Sequence, residues 1–336
     1  MIRRPPAFWR YGTRSPWPTL LAPISALVAA ITAHRIARPG WRAPVPVICC
    51  GNVTVGGAGK TTLALDLAHR LRARGVAVHI LLRGYGGTAR GPHRVAPTDP
   101  ATLVGDEALL LAEIAPTWTG ADRAASARAA IAAGAELLLL DDGLQNPTLA
   151  KDLSLLVVDG ASGFGNGHVL PAGPLREPVA ACAARCQAAV LIGPDEAGTI
   201  AHLPPALKLL CAHLEQGPEV AALIGRRALA FAGIARPEKF FDGLDRAGVT
   251  LVACQPFSDH HSFTTRELRD LIETARSLQA IAVTTPKDAA RLPPEFRAQI
   301  QVVGVKQVWD EDAAIERLLD QVCEPVASLT ASPTGG

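Results

Sequence analysis

Gly51-Asn52-Val53-Thr54-Val55-Gly56-Gly57-Ala58-Gly59-Lys60-Thr61 is the stretch on which the reading of this chain turns. Ahead of it, Val47-Ile48-Cys49-Cys50 is a short apolar run that reads as a buried strand. Behind it, Thr61 to Arg74 carries Leu63, Leu67 and Leu71 at helical spacing, and Gly75 stops the helix. A glycine-rich turn between strand and helix lets backbone amides converge on phosphate oxygens, and the helix N-terminus adds partial positive charge. Lys60 can reach the β- and γ-phosphates of a nucleotide, and the Thr61 hydroxyl suits Mg²⁺. The strict phosphate-loop pattern asks for Gly five positions before Gly59, where this chain has Thr54; the strand–loop–helix context keeps the assignment. The nucleotide-binding set is therefore Thr54, Val55, Gly56, Gly57, Ala58, Gly59, Lys60, Thr61 and Thr62.

Outward from this loop, apolar strands at Val76 to Leu82, Leu137 to Leu140, Leu155 to Val158 and Ala188 to Ile192 alternate with helices. The helices are expected at Asp106 to Ala115 and Asp122 to Ala133. Short, wholly apolar strands between helices predict a mostly parallel sheet covered on both faces, an α/β fold of the P-loop NTPase kind. Gly163 to Pro178, dense in Gly and Pro, is a long loop of the sort that carries function. A smaller α/β unit is expected from about Arg226. Its elements are a strand at Leu229 to Gly233, a helix at Pro237 to Ala247, a strand at Thr250 to Cys254, a helix at Thr264 to Leu278, and strands at Ile281 to Thr284 and Gln301 to Val305. The expected organisation is an N-terminal helical segment (1–43), a P-loop domain (44–225), a C-terminal α/β domain (226–323) and a disordered tail (324–336).

Composition sets the outer limits. With 336 residues, 49% of them hydrophobic, the chain can bury a large core. A net charge of +2 gives no sign of a nucleic-acid partner. Seven cysteines, an odd number scattered mostly in apolar stretches, fit buried thiols better than a disulfide framework. Cys182 and Cys186 could share a helix face, but no second ligand pair lies nearby to complete a zinc site.

Positive charge crowds the beginning: Arg3, Arg4, Arg10, Arg14, Arg35, Arg38 and Arg42 stand in a stretch without Asp or Glu. Ser15 to Ala33 is uncharged, yet Pro16, Pro18 and Pro23 interrupt it and the strongly apolar part starts only at Leu20, short for a bilayer span. No small-residue cleavage site is evident. Leu20, Leu21, Ile24, Leu27, Val28 and Ile31 recur at helical spacing on one face. Two readings stand side by side: a helix lying in an anionic membrane interface, or an amphipathic helix packed on the protein's own core.

Three further places carry chemistry. Leu137-Leu138-Leu139-Leu140-Asp141-Asp142 is an apolar strand ending in two acids, which could simply start a turn but, with a phosphate loop upstream, are better read as holding Mg²⁺. Asp106, after Gly105 at a helix start, is either an N-cap or a base. In Asp259-His260-His261, an extended backbone would turn the two rings to opposite faces, so one His at most would meet a site.

Taken together these segments resemble the tetraacyldisaccharide 4′-kinase family, the lipid A 4′-kinases of Gram-negative bacteria. The resemblance runs through Gly51 to Thr61, Arg83-Gly84-Tyr85-Gly86, Val104-Gly105-Asp106-Glu107 and Asp141-Asp142-Gly143-Leu144-Gln145. It continues through Gly163-Phe164-Gly165-Asn166-Gly167 and the highly specific Leu170-Pro171-Ala172-Gly173-Pro174-Leu175-Arg176-Glu177-Pro178. Phe231-Ala232-Gly233-Ile234-Ala235, Phe257 to Phe263 and Thr284-Thr285-Pro286-Lys287-Asp288 complete it, in the family's order across almost the whole chain. Leu82, Leu144, Asn146 and Lys151 depart from the usual Ser, Phe, His and Arg, and Asn146 removes one candidate proton carrier.

The resemblance implies transfer of the ATP γ-phosphate to the 4′-hydroxyl of a tetraacylated glucosamine disaccharide 1-phosphate. It implies Asp106 as general base with His261 as its partner, and Lys60 as the phosphate-neutralising cation. Thr61, Asp141, Asp142 and Glu177 would form the Mg²⁺ and phosphate environment. A multiply acylated acceptor stays in the bilayer, so the resemblance favours the membrane reading of the helix. The enzyme would sit on the cytoplasmic face of the inner membrane as a peripheral, monotopic protein. Two rival readings are a membrane-associated P-loop ATPase of the partitioning type and a non-catalytic nucleotide-binding module. The first carries a lysine where this chain has Val55; the second would not consume ATP when offered the lipid acceptor. No Asn-Lys-x-Asp motif points to GTP.

Overall fold

Val47–Gly51 is buried along its whole length and lies near the middle of a nine-stranded sheet. The structure, a computed structural model, describes residues 6–330. Arg3, Arg4 and the tail positions 331–336 lie outside the described residues. The sheet runs Val305–Trp309, Lys208–Gln216, Ala188–Ile192, Leu153–Asp159, Val47–Gly51, Leu137–Asp141, Val78–Leu82, Thr117–Thr119, His93–Arg94. Pairing is parallel except at the two edges, where the outermost strands run antiparallel to their neighbours. The uniformly apolar strands follow from this position, because layers on both faces leave no solvent side for polar alternation. Leu63, Leu67 and Leu71 of the helix Lys60–Ala73 pack on one face, and Cys49, Leu138, Leu140, Leu144 and Leu156 belong to the core on the other.

Helix Lys60–Ala73 begins after Gly59, whose φ of 85° only glycine adopts readily, and a Cβ there would stand 2.6 Å from Ile192. It ends as the sequence predicts. Gly75 donates to Arg72 O and Val76 to Leu71 O, a Schellman motif that satisfies the last carbonyls.

The second sheet has four parallel strands in the order Thr250–Pro256, Arg227–Ala232, Ile281–Thr284, Gln301–Val302. Its helix Thr265–Ser277 opens with a reciprocal cap between Thr264 and Glu267. The strand expected at Gln301 to Val305 divides at Gly304. Val305–Trp309 leaves this sheet and pairs antiparallel with Lys208–Gln216 in the large one. The last helix, Asp312–Thr330, also returns to the P-loop layer. Ile315, Leu318 and Leu319 join the cluster of Leu63 and Leu67, and Arg70 pairs with Asp312 at 2.7 Å. The segment assigned to 226–323 is thus shared between the two sheets, and the helix runs to Thr330 within the stretch expected as tail.

The N-terminal helix spans Trp17–Ile36. Its buried residues are Pro18, Ser25 and Thr32, seven apart and therefore on one face. Ser25 Oγ donates to Val169 O (2.8 Å) and accepts from Ala172 N (3.1 Å), so the helix rests on the Gly163 to Pro178 loop through small and polar side chains. Leu20, Ile24, Leu27 and Ile31 point away from the protein, while Leu21 and Val28 flank them half-buried. Helix Trp17–Ile36 is long and apolar enough to cross a membrane, and little of it is covered by the rest of the chain.

Candidate active site

Asn52, wholly buried, organises the phosphate loop from within. Its amide nitrogen donates to Thr54 Oγ1 (3.0 Å) and Gly56 O (3.4 Å), and its Oδ1 accepts from Lys60 Nζ (2.9 Å). The loop is held from outside by the Gly163 to Pro178 segment, where Val55 N donates to Pro174 O and Arg176 N to Val53 O. Lys60 also lies 3.6 Å from Asp142. No role for Asn52 follows from the sequence alone, since its partners come together only when the loop is folded.

Thr61 Oγ1 donates to Asp141 Oδ2 at 3.1 Å, bringing together the hydroxyl and the acid expected to share a cation. Asp141 Oδ1 is buried with no hydrogen-bond partner among the described residues. Burial, then the neighbouring charges of Glu107 and Asp142, push the Asp141 carboxyl up to about 7 against the opposing pull of Lys60. A buried carboxylate with one bare oxygen is what a small hard cation would complete. Asp142, in the left-handed region at φ 58°, is engaged differently. Arg176 grips both its oxygens (2.7 and 3.0 Å), and although burial works against it, Lys60 and Arg176 hold its carboxyl below the usual range.

Of the four residues expected to form the Mg²⁺ and phosphate environment, Asp142 and Glu177 are ion-paired with arginines. Glu177 is buried, but Arg185 takes both its oxygens at 2.8 Å and Gln145 donates to it at 3.0 Å. Its charge is neutralised by a partner eight residues along the chain. Among the described residues, no three His, Cys, Asp or Glu side chains converge on a metal-sized site. Thr61 and Asp141 share a hydrogen bond, while Asp142 and Glu177 are held by Arg176 and Arg185.

Asp106 opens the helix Asp106–Ala112, and Gly105 with φ 88° takes the N-cap place, so the capping alternative does not describe it. Asp106 is buried; its Oδ1 accepts from the next backbone amide, Glu107 N (3.0 Å), and its Oδ2 meets His260 Nδ1 at 3.0 Å. The expected partner, His261, lies elsewhere. The segment is a turn, with His260 at φ 57° and its N–H bonded to Gly233 O, so the alternation assumed for an extended strand fails. His261 stacks on Phe257 at 4.7 Å and meets Glu267 at 3.2 Å, inside an aromatic cluster with Phe263. Burial tends to raise the Asp106 carboxyl. The His260 hydrogen bond, with the charges of Lys287, His260 and Arg291, outweighs it and sets the group below its ordinary value.

A phosphate loop, an acid on the neighbouring strand hydrogen-bonded to it and a buried Asp–His pair fit a P-loop phosphotransfer enzyme on a mostly parallel α/β sheet. Residues 17–324 match the family described as LpxK, tetraacyldisaccharide-1-P 4′-kinase, and the chain belongs to that family. The tetraacyldisaccharide 4′-kinase of Gluconacetobacter diazotrophicus is 58% identical over 325 residues, covering 96% of this chain and 99% of that protein. That of Gluconobacter oxydans is 54% identical, over 95% and 98% of the two chains. Among solved structures, "apo" form LpxK from Aquifex aeolicus in complex with ATP superposes with a TM-score of 0.72 at 25% identity, covering 91% of this chain and 99% of that one. Membership makes the chain a kinase of lipid A biosynthesis, acting on a disaccharide precursor.

Proposed function

We propose that the family reaction proceeds here with ATP as donor and with the Asp106–His260 pair accepting the proton of the 4′-hydroxyl as it attacks. The observation that carries this reading is the 3.0 Å contact between Asp106 and His260, which joins the P-loop layer to the second sheet. A sugar hydroxyl needs its proton taken in the transition state, and an ionised acid hydrogen-bonded to an imidazole can take it. Lys60 neutralises charge on the transferring group, while Asn52 fixes the lysine and the loop beneath it. Arg176, aligned by Asp142, adds a second cation at the same edge. Mg²⁺ carried with the nucleotide would supply charge neutralisation at the β- and γ-phosphates, and Thr61 and Asp141 would hold it, since Asp141 Oδ1 is buried and bare.

The acceptor's acyl chains anchor it in a bilayer, and helix Trp17–Ile36 fits that surface in being inside out. Its small and polar residues face the protein while Leu20 and Leu27, 66% and 61% exposed, face outward. We place the enzyme as a peripheral protein on the cytoplasmic face of the inner membrane, with the Gly163 to Pro178 loop linking the helix to the phosphate loop.

Paired variants test the base. His260→Ala and Asp106→Asn should each lower kcat sharply, with the double variant little worse, because groups acting as one unit are non-additive. His261→Ala should lower thermal stability and leave kcat within a few-fold. Loss of kcat in His261→Ala with normal turnover in His260→Ala would sink the assignment.

A further inference from the structure

Arg291 is a buried cation that the reading above does not use. It sits just past the short helix Pro286–Ala289, and its side chain is only 9% exposed. One end of the guanidinium is tied down: Nη2 donates to Asp288 Oδ1 at 2.5 Å and to Gly233 O at 3.1 Å. Asp288 is fully buried and is itself held by Gly233 N (3.0 Å) and Thr285 Oγ1 (2.7 Å). The other end is left over. Nη1 and Nε are buried without hydrogen-bond partners among the described residues, and Nη1 points at Asp106 Oδ2 from 3.6 Å. Asp288 and Gly233 O engage Nη2 alone, and of the two spare nitrogens Nη1 lies against the carboxylate of the other layer.

We propose that Arg291, aimed by Asp288, is a positioning residue that keeps Asp106 ionised and its Oδ2 fixed for the pair with His260. The charged groups around Asp106 come from every element packed on it: His260 from the turn, Lys287 and Arg291 from the segment after Ile281–Thr284, and Glu107 beside it. Lys287, which also pairs with Glu107 at 3.4 Å, adds its charge to the field on Asp106, while Arg291 at 3.6 Å is, besides His260, the cation within ion-pair distance of the carboxylate among the described residues. A fixed positive charge at this range opposes protonation of the pair, so its removal makes the pair more basic. The acid limb of the pH–rate profile then moves upward. The inference rests on the reading of Asp106 as part of the base.

The test is Arg291→Gln and Arg291→Lys in the full-length enzyme, assayed for kcat, for KM of ATP and across about pH 3.5 to 9, a range that spans the ordinary carboxylate and imidazole values. Arg291→Gln should shift the acid limb of kcat upward by about one pH unit, a tenfold change in proton affinity. It should also lower kcat at neutral pH about tenfold or more with little change in KM for ATP. Arg291→Lys, which keeps the charge, should return the limb toward its original position. A merely structural arginine would lower thermal stability without moving the limb, and an unmoved limb in a folded Arg291→Gln overturns the proposal. If Arg291→Gln does not fold, Asp288→Asn tests the same link by discharging the anchor: reduced kcat with unchanged ATP affinity supports it, and unchanged kcat overturns it. Asp106→Asn separates the two levels. If Asp106→Asn turns over normally, the base reading has failed; if it is inactive while the Arg291→Gln limb stays put, only the positioning role has failed.

Discussion

Leu27→Asp combined with Ile31→Asp places two carboxylates on the outward stripe of the N-terminal helix. In the folded chain Leu27 is 61% and Ile31 59% exposed, so the change removes little packing. Surface substitutions of this kind usually alter stability by less than about 0.5 kcal/mol. Transfer into a bilayer interface is another matter. Fully burying a Leu or Ile side chain contributes about 1.5–3 kcal/mol, so covering the exposed part of each contributes roughly 1–2. The two together supply roughly 2–4 kcal/mol, about thirty- to several-hundredfold in partitioning, before any penalty for inserting acids. Co-sedimentation with anionic liposomes should fall by that order. The apparent KM for vesicle-embedded acceptor should rise more than that for ATP, and the melting temperature should stay within a degree or two. Unchanged liposome binding would refute the anchor. A large loss of melting temperature together with ATP binding would mean that the stripe packs on protein instead.

Asn52→Ala removes the acceptor that holds Lys60 and the two donations that shape the loop. A hydrogen bond to a charged group contributes about 1.5–3 kcal/mol, so ATP affinity measured by calorimetry should drop about tenfold to a hundredfold. Asp141 is raised in the fold above its unfolded value, so the cation-free protein is favoured at low pH and loses stability as pH rises from the ordinary carboxylate range toward about 7. Asp141→Asn should therefore raise the melting temperature of metal-free protein more at pH 8 than at pH 5, and should abolish stabilisation by Mg²⁺. An unchanged response to Mg²⁺ would remove Asp141 from the cation site.

What could be read in the sequence was local. The strand Val47–Gly51, the loop and the helix after it announce themselves within thirty residues, and so does the acid pair at the end of Leu137–Asp141. Roles that depend on distant partners are not legible in the sequence. Arg185 neutralises Glu177, Arg176 occupies Asp142, and Asn52 holds Lys60, all through contacts that no periodicity reports. The choice between His260 and His261 turned on one residue in the left-handed region, inside a segment that composition describes equally well as extended. Lys208–Gln216 gives no clear strand signal because Lys208, His213 and Glu215 break its apolar pattern, as befits a strand with exposed positions near the sheet's edge. The N-terminal stripe was legible, but only the structure shows Pro18, Ser25 and Thr32 beneath it, the contacts that turn the large side chains outward.

The central claim is phosphoryl transfer to a lipid-borne sugar hydroxyl by a loop whose key cation is Lys60. The most direct measurement is to incubate the protein with ATP, Mg²⁺ and tetraacyldisaccharide 1-phosphate, follow the lipid by mass spectrometry, and run Lys60→Ala beside it with circular dichroism on the same samples. The account predicts a bisphosphorylated product from the native chain and nearly none from a folded Lys60→Ala, since charge neutralisation at the transferring group contributes several kcal/mol. An unmodified acceptor with the native chain, or near-normal turnover by Lys60→Ala, would contradict it.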